Sequence, residues 1–292
     1  MMQFRNIIGV AGGAVFLAAS AFAGISVKTV SPVPVEQDCP LSWEVNAGYA
    51  SNYTCRGIVA SHSLTEGDGI IPASVDLNYK LDDCNAVVGA ASCTFLISGH
   101  HMAGERDFSF HNETDFLFGW KNRDGLLKNL STTLGWNLIH GGLLGSFAKY
   151  DHAHSVTQEF YLNLNYDLTQ NWFAGVTTSY AFQGMTGWWF QPYVGYKAAL
   201  CPVTDIVVTA GMSATSSYFD KKSLFMSNGS QAWWLKAELP VKLGAKNLSL
   251  VPFVSFHWAG EGALKANRGS DRGDKPYKNF GVVAGAGLVY FF

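Results

Sequence analysis

The chain has 292 residues and a formal net charge of −2, with 31 Gly, 20 Phe, 12 Tyr and 9 Trp beside only 14% charged residues. That balance gives no reason to expect nucleic acid as a partner, and it is too aromatic and too weakly charged for an ordinary soluble enzyme. Past the N-terminus no apolar run reaches the ~18 residues of a helical membrane span, which leaves a β-barrel as the membrane architecture to consider.

In chain order, Arg5 precedes an apolar run over 7–19, then Ala21, Phe22 and Ala23 with small residues where a signal peptidase cuts. Residues 1–23 are expected to be a cleaved signal peptide, since the run falls short of the ~20 residues a retained anchor needs. Residues 24–40 contain Ser31-Pro32-Val33-Pro34-Val35-Glu36, too proline-rich for a central strand, and are expected to form a periplasmic N-terminal segment. Export places Cys39, Cys55, Cys84, Cys93 and Cys201 in an oxidising compartment. Their number is odd and no C-x-x-C spacing occurs, so no metal site is expected; Cys84 and Cys93 are the expected disulfide pair.

Residues 41–292 then alternate in polarity over segments that suit the ~9–11 residues of a tilted membrane strand. Strand one, over 41–53, sets Trp43, Val45, Ala47 and Tyr49 against Glu44 and Asn46. Strand two sets Ile71, Val75, Leu77 and Tyr79 against Ser74, Asp76, Asn78 and Lys80, and a weaker strand three is expected over 91–101. Strand four turns Phe108, Phe110, Phe116, Phe118 and Trp120 outward and Glu113 and Asp115 inward, and Leu130, Leu134, Trp136 and Leu138 mark strand five. Strand six sets Phe160, Leu162, Leu164 and Tyr166 against Glu159, Tyr161, Asn163, Asn165 and Asp167. Strands seven to nine follow over 172–182, 188–198 and 203–215, the eighth with Tyr193 and Lys197 inward. Strand ten opposes Trp233, Leu235 and Leu239 to Trp234, Lys236, Glu238 and Lys242, and Leu248, Leu250, Val254, Phe256 and Trp258 carry strand eleven.

The twelfth strand has the plainest pattern. Phe280, Val282, Ala284, Ala286, Leu288, Tyr290 and Phe292 make one continuous apolar face with aromatic ends, a face no soluble edge strand could safely expose. It resembles the closing strand of bacterial outer-membrane barrels, and that resemblance implies recognition by the outer-membrane assembly machinery. Mostly tight connections near 82–83, 168–171, 201–202 and 244–247 alternate with a longer polar set, most of it over 54–69, 141–155, 216–230 and 259–277. The expected fold is therefore all-β: a transmembrane antiparallel up-and-down barrel of about twelve strands, ten or fourteen being the alternatives. It should stand in outer-membrane lipid with short periplasmic turns and long extracellular loops.

Within this frame Gly48-Tyr49-Ala50-Ser51-Asn52-Tyr53-Thr54-Cys55-Arg56-Gly57, followed by Pro72-Ala73-Ser74-Val75-Asp76, resembles the opening hairpin of the TorF family of porin-like proteins. Glu113-Thr114-Asp115 and Gly119-Trp120 are similar to that family's acidic fourth strand, and Cys55 departs from the family pattern. The resemblance covers about a quarter of the chain and implies a porin-like protein of the outer membrane in a Gram-negative-type bacterium, with no particular substrate.

The expected pore lining is Glu44, Arg56, Asp76, Lys80, Glu113, Asp115, Glu159, Asp167, Lys236 and Glu238. Arg56 is expected to continue the inward register of strand one at its outer end, either as a loop-anchoring ion pair or as part of a constriction. No G-x-S-x-G, H-E-x-x-H or P-loop motif occurs, and neither a catalytic residue nor a cofactor is expected. His140, the histidine on an outward register near a strand end, marks an enzyme on the barrel surface as the runner-up class. His100-His101, His152-Ala153-His154 and Arg272-Gly273-Asp274 read as solvated loop residues rather than metal or integrin sites. Two functions remain in view. One is passive diffusion of small hydrophilic solutes or ions with a weak cation preference, and the other is a surface-structural or adhesive barrel whose lumen is narrowed by Tyr161, Tyr193 and Trp234.

Overall fold

The computed structural model describes residues 39–52, 54–59, 69–96, 113–140, 156–183, 186–216, 228–244, 247–264 and 278–292. The expected leader, Phe108, Phe110, the paired histidines and Arg272–Asp274 lie outside them.

Twelve antiparallel strands close on themselves. They are β1 (Leu41–Ala50), β2 (Ile70–Lys80), β3 (Asn85–Leu96), β4 (Glu113–Arg123), β5 (Leu130–His140) and β6 (Val156–Asp167), then β7 (Trp172–Gln183), β8 (Gly187–Cys201), β9 (Thr204–Ser216), β10 (Gly229–Glu238), β11 (Leu248–Ala259) and β12 (Phe280–Phe291). Each pairs with its neighbours in the chain, and β12 returns to β1 in an unbroken register from Glu44↔Phe291 to Ala50↔Gly285. Closure leaves no open sheet edge along the seam, so the strands pair on both sides. Beyond β10 the chain passes Leu239 and Pro240, and a short piece, Val241–Lys242, resumes pairing with β9 and β11. Proline has no N–H to give the ladder, which accounts for the interruption.

The outer surface follows the alternation read from the sequence. Phe116, Phe118, Phe160, Trp233, Phe280, Val282 and Leu288 all face outward, Phe118 with 63% of its surface uncovered. Aromatic pairs gather at both ends of the barrel. Trp43, Tyr290 and Phe292 pack together at the short-turn end, where Trp172 meets Tyr196; Tyr180 meets Trp188 and Trp258 meets Phe280 at the long-loop end. An apolar band between two aromatic girdles is how a barrel matches a bilayer.

Two expectations are corrected. Strand three begins at Asn85 rather than 91 and is described to Leu96, 97–101 lying outside the described residues; its outward Val87, Gly89, Ala91 and Cys93 and inward Val88, Ala90, Ser92 and Thr94 differ too little in polarity for alternation to show. Cys84 and Cys93 are both free and stand near opposite ends of that strand. At ~3.3 Å per residue they are about 30 Å apart, beyond any disulfide. The connection between β7 and β8 spans only 184–186, in keeping with the expected limits 172–182 and 188–198, so one link at the long-loop end is short.

The interior is partly apolar. Val88, Leu117 and Tyr161 form one buried cluster; Phe173, Tyr193 and Val207, with Trp234 against them, form another. Tyr161 lies over Gly135, where an added Cβ would stand 2.6 Å from the ring. Glycine at that position is what lets the tyrosine lie flat on the wall.

Candidate functional site

The chain leaves β1 at Ala50 and turns into the barrel. Ser51 N donates to Ala284 O at 2.8 Å and Ser51 Oγ accepts from Ala284 N at 3.0 Å, fixing the point of departure on β12. Thr54–Cys55 and Ile58–Val59 then pair as a small inner hairpin with Arg56 and Gly57 as its two-residue turn. Both turn residues have positive φ, 50° and 86°, which is the requirement of a type I′ turn. Glycine meets it freely, whereas for arginine the left-handed conformation costs roughly 1–2 kcal/mol. At Gly57 there is a second reason for glycine, since a Cβ would stand 2.8 Å from Trp234 Cδ1.

This hairpin reaches several walls of the lumen. Arg56 is 2% exposed, forms an ion pair with Glu159 of β6, donates from Nη1 to Ser179 Oγ of β7 at 3.0 Å, and holds its guanidinium carbon 5.0 Å from the ring centre of Trp189 on β8. On the other side His257 of β11 meets Gly57 O through Nδ1 at 2.8 Å. A carbonyl can only accept, so Nδ1 carries the proton, and Nε2 lies 2.8 Å from Ser255 Oγ. Val59 O accepts from Lys278 N at 3.2 Å, and the Val59 side chain covers Gly281 of β12. The two readings of Arg56 thus coincide in one residue. It is an ion-pair anchor and it stands inside the lumen, but in the turn of a separate hairpin rather than in the continued register of β1.

The carboxylates fall on the neighbouring walls. Glu113 and Asp115 of β4 and Glu159 of β6 are almost fully covered, and Asp115 lies within Coulombic reach of Glu113, Glu159 and Arg56. Neither oxygen of Asp115 receives a hydrogen bond. On β1 and β2, Glu44 and Asp76 are direct cross-strand partners, linked by Asn46 Nδ2, which donates to Glu44 Oε1 at 2.7 Å and to Asp76 Oδ2 at 3.5 Å; Ser74 Oγ adds a bond to Asp76 at 3.2 Å. Lys236 and Glu238, two apart on β10, are buried together 2.8 Å from each other, with the ammonium 5.0 Å from the ring centre of Phe253.

Two residues of the expected lining sit at the rim. Asp167 is half-buried 3.8 Å from Lys197 near the short-turn end, and Lys80 bonds Asp83 at 2.9 Å with 59% of its side chain exposed. Lys80 has the inward parity of β2, but at the strand's last residue the side chain leaves the lumen for the turn. The inner hairpin and its partners Ser179, Trp189 and His257 were not singled out from the sequence. Arg56-Gly57 between the β-favouring pairs Thr54-Cys55 and Ile58-Val59 was the available hairpin signal. For His257 it was the alternation with Phe256 and Trp258, which turns the imidazole inward.

A closed barrel with an apolar, aromatic outside and a lumen holding most of its charged strand residues defines a transmembrane β-barrel. No protein-family model and no curated protein matches the sequence. Among solved structures, the chain is similar to an outer membrane channel from Pseudomonas putida F1, with TM-score 0.48 and 12% identity over 90% of this chain and 100% of that one. It is similar to the NanC porin with TM-score 0.47 and 9% identity over 85% and 98% of the two chains, and to LpxR from Salmonella typhimurium with 0.48 and 8% over 85% and 100%.

Proposed function

We propose that this protein is a porin-like outer-membrane channel for passive diffusion of small hydrophilic solutes or ions, with a weak preference for cations. The observation that carries the reading is the placement of Glu44, Asp76, Glu113, Asp115 and Glu159 on the lumen wall beside an inward hairpin whose own charge is Arg56. A transmembrane barrel gains nothing in stability from buried like charges, and rings of carboxylates set ion preference in channels. The resemblance of the opening hairpin to the TorF family supports the same reading. So does the sequence of residues 1–23, read as a cleaved leader that sends the chain to the outer membrane of a Gram-negative-type bacterium, where its closing strand would engage the assembly machinery. Refolded protein in a planar bilayer tests it: stepwise conductance with a reversal potential of cationic sign is expected, and a barrel that passes no current refutes the channel.

One observation favours the second reading, a surface-structural barrel without an open pore. The hairpin joins opposing walls, and Tyr161, Tyr193, Phe173 and Trp234 pack inside below it. Absence of current from correctly assembled protein, with its loops binding a partner, would establish that alternative.

A further inference from the structure

The pocket around the Arg56 side chain is made by the barrel and not by the hairpin. Its carboxylate comes from Glu159 on β6, its hydroxyl from Ser179 on β7 and its aromatic face from Trp189 on β8. Ser179 and Trp189 are register partners, and Glu159 lies two residues from Tyr161, the partner of Ser179 on β6, so the three positions are close on adjacent strands. A carboxylate to pair with the charge, a hydroxyl to accept one N–H and an indole face to lie under the cation are the three elements that recognise a guanidinium or an alkylammonium. The hairpin contributes only the guest.

Two further features separate this pocket from an ordinary structural ion pair. Arg56 is delivered by a turn position with φ 50°, where Asn, Asp or Gly is the usual residue, so the backbone is held in an unfavourable conformation while the guanidinium is seated. Beside the pocket, Asp115 is 4% exposed, neither of its oxygens receives a hydrogen bond, and it lies within Coulombic reach of Arg56 and Glu159. A covered carboxylate without donors is costly, and a cation that brought N–H groups to it would relieve that cost. Arg56 bonds Glu159 and Ser179, which leaves the acceptors of Asp115 for a guest with more donors or greater freedom to move.

We propose that Glu159, Ser179, Trp189 and Asp115 form a binding site for guanidinium- and amine-bearing solutes, which Arg56 occupies as a tethered competitor that such a solute displaces. The passage of these solutes rests on the channel reading above, but their binding does not. Displacement releases the strained turn from the wall of β6, β7 and β8, while the bonds of His257 to Gly57 O and of Lys278 N to Val59 O still tie the hairpin to the other side. Small alkali cations lack the donors for Ser179 and Asp115 and the planar face for Trp189, and they do not compete effectively.

The test uses methylguanidinium as probe and saturation-transfer NMR on the refolded barrel in detergent, with a matched bilayer recording. A tethered arginine acts at an effective concentration of about millimolar or more, so Arg56→Ala is expected to tighten methylguanidinium binding roughly tenfold over the wild type. Adding Trp189→Leu to that variant should abolish the gain, and tetramethylammonium, which has no N–H, should bind several-fold more weakly than methylguanidinium. Equal binding by wild type and Arg56→Ala, or binding indifferent to Trp189→Leu, overturns the proposal. Faster gel migration before heating verifies assembly of each variant. Should Arg56→Ala not assemble, Asp115→Asn in the otherwise intact chain decides: several-fold weaker binding supports the site and unchanged binding overturns it. Probe that binds to a barrel passing no current would leave the site standing and refute the channel.

Discussion

The ring of Phe292 stacks on that of Trp43 across the seam where β12 meets β1, with centroids 4.0 Å apart and planes 18° apart. Phe292 N donates to Trp43 O at 2.9 Å, and Tyr290 meets the Phe292 ring edge-on at 4.4 Å. The last residue of the chain therefore ties both the backbone and the aromatic girdle of the closing strand to the first. A stacked pair adds about 0.5–1.5 kcal/mol beyond its buried area, and it acts where the sheet would otherwise keep two open edges.

Deleting Phe292, or replacing it with Asp, is expected to lower the yield of folded barrel far more than a replacement in any long loop. Phe292→Leu should fall between, since it keeps apolar area and loses the stack. The readout is the fraction of protein that migrates faster on unheated than on heated gels. Normal assembly of the deletion variant would show that the seam closes without this residue.

Gly57 offers a separate test of the inner hairpin. Its φ of 86° is strained for any side chain, and a Cβ there would stand 2.8 Å from Trp234 Cδ1. Gly57→Val should therefore expel the hairpin from the lumen while leaving the twelve-strand ladder intact. Single-channel conductance is expected to rise several-fold with no change in heat-dependent gel migration. Conductance equal to that of the wild type would mean that the hairpin does not restrict the path.

The ladder was legible because lipid and lumen impose opposite polarities on alternate residues, and β12 and β6 carry that contrast over most of their length. In β3, small residues such as Gly89, Ala90 and Ala91 erase the contrast, and the strand's start could be found only from the turn at Asp82. Wall carboxylates such as Glu113 and Glu159 could be placed by parity alone. The inner hairpin could not, because its partners are remote: 103 positions separate Arg56 from Glu159 and 200 separate Gly57 from His257. No local periodicity encodes contacts of that range. Lys80 shows the other limit, since parity gives the side of a strand but not where a long side chain leaves it.

The turn from β2 to β3 makes a prediction about pH. Asp82 Oδ1 accepts from Cys84 N and Asn85 N, both at 2.8 Å, and the Asn85 amide donates to both carboxylate oxygens. The Asn85 side-chain bonds foremost, and then the Cys84 amide, hold this carboxyl below its ordinary value of 3.8. A group depressed on folding adds stability that is complete above that value and is lost as the pH falls through the lower, folded one. Asp82→Ala should accordingly lower resistance to urea at neutral pH, and the gap from wild type should shrink once the pH drops below the ordinary carboxylate range. A gap that persisted undiminished in acid would mean that the ionised carboxylate is not what holds the turn.

The final prediction concerns what the lumen prefers to pass. Glu113 and Asp115 lie on β4 beside Glu159, and the arginine in their reach, Arg56, is engaged by Glu159. Lys236 is likewise engaged by Glu238 on β10, and Lys80 stands at the rim against Asp83. Lys121 is also covered on the inward parity of β4, so four carboxylates, Glu113, Asp115, Glu44 and Asp76, stand against that one lysine in setting the sign of the field along the wall. Their reach in salt is about a Debye length, ~8–10 Å near physiological ionic strength, which is comparable with the half-width of a twelve-strand barrel narrowed by a hairpin. Permeating ions should pass within that reach, so cation preference should be modest but measurable, and it should weaken as salt is raised. Converting Glu113→Gln and Asp115→Asn together keeps the shapes and removes two charges. The reversal potential across a tenfold salt gradient should then move toward zero, while the wild type shifts to the cationic side. Anion preference in the wild type, or an unchanged potential in the double amide variant, would assign control of the path to Arg56 and the lysines instead.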